Sequence, residues 1–245
     1  MLKAYIVAAA TLMFCVIASY VLNFFVHLGY GLSTDTETWG QFADYVGGML
    51  NPILSSISII FLIKSLALQN EANQDLRNEL KNNEKTERFK SFGALFFNMI
   101  DSQKALLENF SIDFKSNGEI VTKQGIRAII EIEEKIEQIR NAGGNNDEIR
   151  KFLEESDSSD QIFGILRAFY ITVKMISEKL GDPHGFSRGD RSDHFLTLIN
   201  FTDFAQLRLV LIGIQFLNYP ASSYLKENQE FCSVLTDAGL HLDPY

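Results

Sequence analysis

The chain has 245 residues, 46% of them apolar, and 31 acidic against 22 basic side chains give it a net charge of -9. This length allows one modest domain with an appendage or two small domains, and the apolar fraction excludes wholesale disorder. Two cysteines are too few for a disulfide-stapled module or for a zinc site of clustered cysteines. The acidic balance disfavours direct binding of nucleic acid, because phosphate contacts require Lys and Arg.

The first apolar segment runs from Ala4 to Val26 and contains 23 residues with no charged side chain. At about 1.5 Å per residue, a helix of this length crosses a hydrocarbon layer of about 30 Å. A cleaved signal peptide is the alternative, but its apolar region has roughly 7–15 residues, and no small-x-small cleavage site follows this segment. The sequence therefore favours a retained membrane span.

A second apolar segment runs from Phe42 to Ile63, and its only charged residue is Asp44. A buried core helix is the alternative, because Asn51, Pro52 and three serines interrupt the apolar run. Gly and Pro are nevertheless tolerated in spanning helices, where neighbouring helices, Ser side chains or water satisfy the freed backbone groups. The two segments predict a transmembrane hairpin over residues 1–64.

The basic residues near the span ends predict the orientation of the hairpin. Lys3 precedes the first span, and the loop between the spans has no Lys or Arg. Four basic residues follow the second span: Lys64, Arg77, Lys81 and Lys85. This distribution predicts that both termini lie in the cytoplasm. Cys15 would then lie in lipid and Cys232 in a reducing compartment, so the two are not expected to form a disulfide.

Small and polar residues of the second span recur at intervals of four, three, four and three, which places them on one face of a helix. This polar stripe consists of Asp44, Gly48, Asn51, Ser55 and Ser58. A similar series in the first span consists of Thr11, Cys15, Ser19, Asn23 and His27. Two interpretations stay open: the stripe marks where the two helices pack, or it faces water when several copies assemble.

Two further residues, Gly47 and Pro52, shape the same part of the second span. Gly47 and Gly48 permit close approach of another helix, because they have no side chain. Pro52 lacks a backbone donor, and its ring strains the preceding turn, so a kink or a broken turn is expected near Gly48. The candidate functional residues of the chain are therefore the polar stripe together with Gly47 and Pro52.

The remainder of the chain predicts helices. Residues 65–90 mix charges without Pro and are expected to form a helical stalk, although Gln69 and Asn73 interrupt its heptad seam. Residues 91–245 predict a cytoplasmic α-helical domain, and no strand-type alternation of any length is found. Its helices are expected at Phe92–Asn109, Lys123–Asn141, Asp147–Glu155, Ile162–Leu180 and His194–Leu217. The fold class is thus an all-α membrane protein with a hairpin, a stalk and a domain.

No chemical motif in the sequence indicates an enzyme. A glycine-rich phosphate loop, HExxH and CxxC are all missing, and no GxSxG elbow between a strand and a helix is predicted, so no catalytic, cofactor-binding or metal-binding residue is predicted. One cluster could in principle hold a divalent metal: Asp182, His184, Asp190, Asp193 and His194. The preferred interpretation is a loop between two helices in which Asp193 is an N-cap, and Asp160 is likewise expected to cap the preceding helix.

Several strings resemble one protein family. Gly47-Gly48-Met49-Leu50-Asn51-Pro52-Ile53-Leu54 is followed by Leu66-Ala67-Leu68-Gln69 and later by Phe96-Phe97-Asn98-Met99. This pattern resembles the AbiC-like phage abortive-infection proteins, over Trp39 to about Leu107. The resemblance implies a two-span membrane effector with a cytoplasmic helical domain. Some members of that family act in retrons, beside a reverse transcriptase and its noncoding RNA–DNA product.

These observations and the resemblance together predict a toxic effector of the bacterial inner membrane, which kills an infected cell by permeabilising the membrane once its partners release it. The expected partners are membrane lipid, further copies of the chain, and a retron reverse transcriptase with its RNA–DNA product. From Ser65 onward the chain has 28 acidic and 20 basic residues, so it is expected to contact nucleic acid mainly through the reverse transcriptase. The alternative is a membrane-tethered sensor or scaffold whose spans only anchor it.

Overall fold

A computed structural model describes residues 2–29, 31–116 and 119–245 of the chain. Its internal contacts divide the chain into two compact units, Met1–Leu80 and Lys81–Tyr245. We call them the N-terminal unit and the C-terminal unit. The described chain is predominantly helical, as the composition and periodicity predicted.

The N-terminal unit begins with helix α1, Leu2–Val21, which continues directly as a π-helical segment, Leu22–His27. Helix α2 starts at Thr36, where the preceding Asp35 acts as a cap. The Asp35 carboxylate accepts a hydrogen bond from the backbone N–H of Glu37 at 3.3 Å. This contact satisfies one of the donors that every helix leaves free in its first turn.

Helix α2 extends from Thr36 to Glu108 and contributes residues to both units. Pro52 lies in its interior. A kink or a broken turn was expected near Gly48. The turn is not broken, since the backbone is helical at Pro52 and on both sides of it. Pro52 removes only the bond that its own N–H would donate to Gly48, and the bonds of the flanking turns hold the helical path.

The C-terminal unit combines the last part of α2 with a short β-hairpin and seven helices within its described residues. Strand β1, Ser111–Ser116, pairs antiparallel with strand β2, Glu119–Gln124. The helices are α3 Ile126–Asn141, α4 Asn146–Ser156, α5 Gln161–Lys179, α6 Arg188–Phe201, α7 Phe204–Phe216, α8 Pro220–Glu227 and α9 Gln229–Asp237. A 3₁₀ turn, Asp182–His184, lies between α5 and α6.

Helix α7 lies at the centre of this unit. Ten of its thirteen residues are buried, and it packs against α3, α4, α5 and α8. A helix that is apolar on every face must be covered on every face, which explains the long apolar run of this segment. Large aromatic side chains complete the core: Phe96, Phe110, Phe169, Phe195, Phe216 and Phe231 are fully buried.

The β-hairpin is the main departure from the all-helical prediction, and Lys123, expected at a helix start, lies in β2. Phe110, Ile112 and Phe114 are buried, whereas Asp113 between the last two is exposed. This is the period of two that marks a strand. The six residues of β1 contain only two apolar positions, Ile112 and Phe114, which are too few to distinguish a strand from a loop.

The helix expected over His194–Leu217 is in fact two helices, α6 and α7, which meet at an angle of 113°. The chain bends at Thr202 and Asp203, where the Asp203 carboxylate accepts a hydrogen bond from the N–H of Ala205 at 2.8 Å. Asp203 is therefore an N-cap in the middle of a segment whose apolar spacing is continuous. Periodicity alone does not reveal such a break.

One predicted N-cap is wrong, and the other occupies the N-cap position without a capping hydrogen bond. Ser187, not Asp193, caps α6, and it forms a reciprocal capping box with Asp190. At the start of α5, the side chain of Asp160 makes no cap hydrogen bond. Asp157 accepts instead from the first turn of α5, through bonds of 2.9 and 3.2 Å.

Two helical segments of the described chain are long and apolar enough to cross a membrane, Val7–His27 and the helix Thr36–Glu108. The bent pair α6–α7 would be a third by the same test of length and composition. The burial of α7 within the C-terminal unit accounts for its apolar character without a membrane.

Candidate functional site

The two apolar helices of the N-terminal unit contact each other through aromatic and hydroxyl side chains. The Ser19 hydroxyl lies 3.0 Å from the Tyr45 hydroxyl. The ring of Tyr20 packs edge-on against Phe42, with 4.7 Å between the ring centroids, and lies 5.2 Å from the ring of Tyr45. Phe42 and Tyr45 therefore mark the side of α2 that faces α1.

The same side of α2 continues along the helix as a mostly apolar contact face. Leu50 is buried, and a series of further side chains is half-buried: Phe42, Val46, Ile53, Ile57 and Phe61. On α1, Val16 is buried, and Leu12 and Tyr20 are half-buried. Large side chains remove the most area from solvent when two helices meet, which is why they form this face.

The polar stripe lies on the other side of α2. At about 100° per residue, the stripe is centred roughly opposite the contact face. All five of its members are exposed, as is Pro52, whereas Gly47 is half-buried. Within one chain, the stripe thus does not mark where α1 and α2 pack, and its side chains are available to water, lipid or another chain.

The polar side chains of the stripe differ in whether they form hydrogen bonds within α2. The Ser58 hydroxyl donates to the carbonyl of Leu54 at 2.8 Å, a bond internal to α2. Among the described residues, the Asn51 amide and the Ser55 hydroxyl have no hydrogen-bond partner. These two side chains are the ones that need an external partner once water is removed.

The loop cluster that could have held a metal is divided among separate structural contacts. Asp182 accepts from Arg191 at 2.8 Å, and Asp190 belongs to the capping box of α6. His184 Nδ1 lies 3.0 Å from a guanidinium nitrogen of Arg88. Within the described part of the chain, no group of three or more His, Cys, Asp and Glu side chains could hold a metal ion.

His194, the last member of that cluster, lies in an aromatic environment. Its ring meets the rings of Phe89, Phe92 and Phe96 edge-on, at centroid distances of 5.6, 5.1 and 5.7 Å. Its Nδ1 lies 2.7 Å from the carbonyl of Asp190. The imidazole thus packs the C-terminal part of α2 against α6.

The sequence did not indicate an ionic network centred on the buried side chain of Arg191, whose partners Glu230 and Asp182 are partly and mostly exposed. This side chain donates to Glu230 at 2.6 and 2.8 Å, to Asp182 at 2.8 Å and to the carbonyl of Leu180 at 3.1 Å. Hydrogen bonds from Arg191 hold the pKa of Glu230 below its usual value, and those to Glu230 and Asp182 raise the pKa of Arg191. The network joins α6 and α9 to the turn that follows α5.

A second set of buried polar side chains lies where α2 meets α5 and α7. Gln103 donates its amide N–H to the Thr172 hydroxyl at 2.7 Å, and Gln206 donates to the carbonyl of Gln103 at 3.3 Å. The amide oxygens of both glutamines are buried without a partner in the described structure. This arrangement specifies the position of α2 in the unit, because a shift would leave further buried groups unpaired.

Comparison of the chain with known protein families, with curated proteins and with solved structures found no match. The resemblance to the AbiC-like proteins therefore stays a prediction.

Proposed function

We propose that this chain is a toxic effector of abortive anti-phage defence in the bacterial inner membrane, as part of a retron. In this proposal α1 and the first part of α2 cross the membrane. Partners hold the chain silent, and their release during infection lets several copies assemble and permeabilise the membrane. The resemblance to the AbiC-like proteins suggests the defence role, and the geometry of α2 suggests the mechanism.

The observation that carries the mechanism is that the polar stripe and the contact face lie on opposite sides of α2. If the stripe served only to pack the two helices of one chain, it would lie against α1. Instead its Asn51 and Ser55 side chains have no partner among the described residues. An anchor helix has no need of such a face.

The cost of exposing this stripe to lipid supplies the driving force for assembly. Moving an unpaired amide or hydroxyl from water to hydrocarbon costs several kcal/mol, about 4–8 kcal/mol on the cyclohexane scale. Stripes of neighbouring copies that face each other can pair across the helices or enclose water, and either arrangement removes this cost. Gly47 and Gly48 would allow the helices to approach closely there.

The orientation follows from the basic residues at the span ends. Lys3, before the apolar segment Ala4–Val26, and the four basic residues from Lys64 to Lys85 favour a cytoplasmic N-terminus and C-terminus. Reporter fusions at Thr36 and at Tyr245 are therefore expected to lie on opposite sides of the membrane. Two reporters on the same side would show that one of the two helices does not span.

The acidic charge of the chain after Ser65 favours basic protein partners over bare nucleic acid. We expect the retron RNA–DNA product to be contacted mainly through its reverse transcriptase. The purified chain should accordingly bind naked RNA or DNA weakly near physiological salt. Tight binding under those conditions would contradict this part of the proposal.

The deciding experiment replaces Asn51, Ser55 and Ser58 together with Leu. In cells that express the chain without its partners, the variant should no longer admit a membrane-impermeant dye or kill the cell, because its stripe can then face lipid at no cost. Membrane insertion should be unchanged, since Leu favours it. The readouts are dye entry, survival and the amount of chain in the membrane fraction.

The matched control replaces Ile53, Ile57 and Phe61, on the contact face, with Leu. These changes keep the apolar character and should leave dye entry close to that of the parent. A second variant, Asn51→Ser, keeps a polar group in the stripe and should also retain activity. If the triple Leu variant inserts normally and still kills like the parent, assembly through the stripe is wrong.

The alternative function is a membrane-tethered sensor or scaffold. It is favoured by one observation, namely that a single helix, α2, contributes to both units without interruption. In this case the parent chain itself should cause neither dye entry nor depolarisation when expressed without partners. The same dye assay thus separates the two functions.

A further inference from the structure

Strand β2 has one edge that pairs with β1 and a second edge that is free among the described residues. β1 carries the buried residues Ile112 and Phe114, and it pairs with β2. Five of the six residues of β2 are exposed, and Ile120, at 67% exposure, is among the most exposed large apolar side chains of the C-terminal unit. Exposed edge strands with apolar side chains and no Pro are templates for pairing with another strand.

The hydrogen-bond pattern shows which backbone groups of β2 point outward. The N–H of Gly125 donates to the carbonyl of Phe110 at 2.7 Å, and this bond places the two residues at a hydrogen-bonded position of the ladder. In an antiparallel pair such positions alternate, so Lys123, Val121 and Glu119 also direct their backbone groups toward β1. The backbone N–H and C=O groups of Ile120, Thr122 and Gln124 therefore point away from β1.

These outward groups have no partner in the described structure. None of the backbone bonds outside the regular elements involves Ile120, Thr122 or Gln124. Thr122 uses its side chain within the hairpin, donating to the carboxylate of Asp113 at 2.6 Å. The edge thus offers a short ladder of donors and acceptors to an added strand.

We infer that this edge binds β2 of a second copy of the chain, in an antiparallel pairing centred on Val121. In this register Ile120 and Thr122 of each strand exchange backbone hydrogen bonds with Thr122 and Ile120 of the other. Both residues direct their backbone groups outward, as such a pairing requires. The result is a four-stranded sheet with two-fold symmetry.

Charge complementarity identifies the second copy as the occupant. With Val121 opposite Val121, Glu119 of each strand lies opposite Lys123 of the other, so the symmetric pairing forms two ion pairs across the interface. A slip of two residues would remove these ion pairs. Lys123 is available for this contact, because its side chain is 39% exposed and its ion pair with Glu131 is long, at 3.8 Å.

This pairing involves the C-terminal unit alone and does not depend on the proposed membrane activity, so it would hold for an effector or for a scaffold. For an effector, it would supply a second site of self-association in addition to the polar stripe.

Disulfide cross-linking in membrane vesicles tests the pairing in the full chain. In the proposed register the β-carbons of the two Val121 residues lie about 4.5–5.5 Å apart, close to what a disulfide needs. Val121→Cys, with Cys15 and Cys232 replaced by Ser, should therefore form dimers rapidly on addition of diamide. Ile120→Cys is the matched control, because its two copies are offset by two residues and should cross-link at least tenfold more slowly.

Charge variants in the Val121→Cys chain test the occupant and the register together. Lys123→Glu places like charges opposite each other twice and should slow cross-linking about tenfold. The double variant Glu119→Lys/Lys123→Glu exchanges the charges and should restore the rate. Equal rates at positions 120 and 121, or a double variant as slow as the single one, would overturn the inference and leave the stripe proposal unaffected.

Discussion

The two units of this chain bury their apolar side chains in different ways. In the N-terminal unit Val16 and Leu50 are the buried large apolar residues among those described, whereas Phe14 is 72% exposed and Leu62 61% exposed. In the C-terminal unit the apolar side chains form one continuous core. The C-terminal unit therefore covers much of its apolar surface by its own packing, whereas the N-terminal unit leaves most of its apolar surface exposed.

Helix α2 shows this difference within a single element. Between Ile59 and Ile63 its apolar side chains are mostly exposed, whereas Phe92, Phe96 and Ile100 are buried. Both stretches are helical, so secondary structure does not distinguish them. What differs is the spacing, because the first stretch is apolar on several faces and the second presents one apolar face to a core.

The largest expected effect on stability is the loss of a central aromatic side chain. Phe231 is fully buried, and its ring lies 5.9 Å from Phe169 and 5.8 Å from Phe195. Phe231→Ala should lower the free energy of unfolding of the C-terminal unit by about 3–5 kcal/mol, because it leaves a cavity. Urea unfolding of the detergent-solubilised chain, followed by circular dichroism, measures this.

Phe14→Ala in α1 is the control for the comparison between the units. It removes the same side chain from an exposed position, so the urea midpoint of the C-terminal unit should not change. A midpoint that falls as far as in Phe231→Ala would show that the two units do not unfold separately.

The next effect in size concerns Arg191, whose side chain is only 10% exposed. Arg191→Met should destabilise the C-terminal unit by roughly 3 kcal/mol, because Glu230 and the carbonyl of Leu180 lose their donor. Arg191→Lys keeps the charge but lacks the planar guanidinium that donates to both carboxylate oxygens of Glu230, so its stability should lie between those of the Met variant and the parent. A Met variant as stable as the parent would contradict a structural role for the network.

The pH dependence of stability tests whether the ionised carboxylate of Glu230, the partner of Arg191, stabilises the fold. Hydrogen bonds from Arg191 lower the pKa of Glu230 from its ordinary 4.5, so this carboxylate stabilises the fold above pH 4.5. The contribution is lost as the pH falls through the lowered pKa. Glu230→Gln should therefore cost about 2 kcal/mol at pH 7. The difference between the variant and the parent should shrink as the pH falls below 4.5.

Melting temperatures of parent and variant, measured from pH 7 down to pH 3, provide this comparison. Asp157, whose pKa is raised by burial, has the opposite pH dependence, but it is present in both chains and cancels in the difference. If the difference in melting temperature between the parent and Glu230→Gln stays constant from pH 7 to pH 3, the ionised pair is not the cause of that difference.

The smallest effect expected is the loss of a helix cap. The side chain of Asn145 accepts hydrogen bonds from the N–H groups of Asp147 and Glu148 at 2.9 and 3.0 Å. Asn145→Ala should destabilise the C-terminal unit by about 1 kcal/mol, whereas Asn145→Asp keeps the acceptor and should be nearly neutral. The urea midpoints of the two variants measure the difference, and equal midpoints would exclude capping.

The sequence by itself determined the helical character of the chain, its two apolar helices and the composition of the polar stripe. All three follow from hydrophobic length and from spacing along a helix, which are local properties. Local capping chemistry was readable only in part, because Ser, Asp and Asn at neighbouring positions compete for the same cap. Asp193 and Asp160 were therefore predicted as caps, whereas the side chains that accept from the first turns of α6 and α5 are those of Ser187 and Asp157.

Only the tertiary structure decided which side of α2 faces α1 and which side remains open. It also placed Glu230 against Arg191, 39 positions earlier in the chain, and Thr172 against Gln103, 69 positions earlier. The sequence lacks this information because contacts between distant residues depend on how whole elements pack, and many polar residues could have been partners. The short hairpin depended likewise on the core beneath it, since Ile112 and Phe114 form a strand only where buried surface supports them.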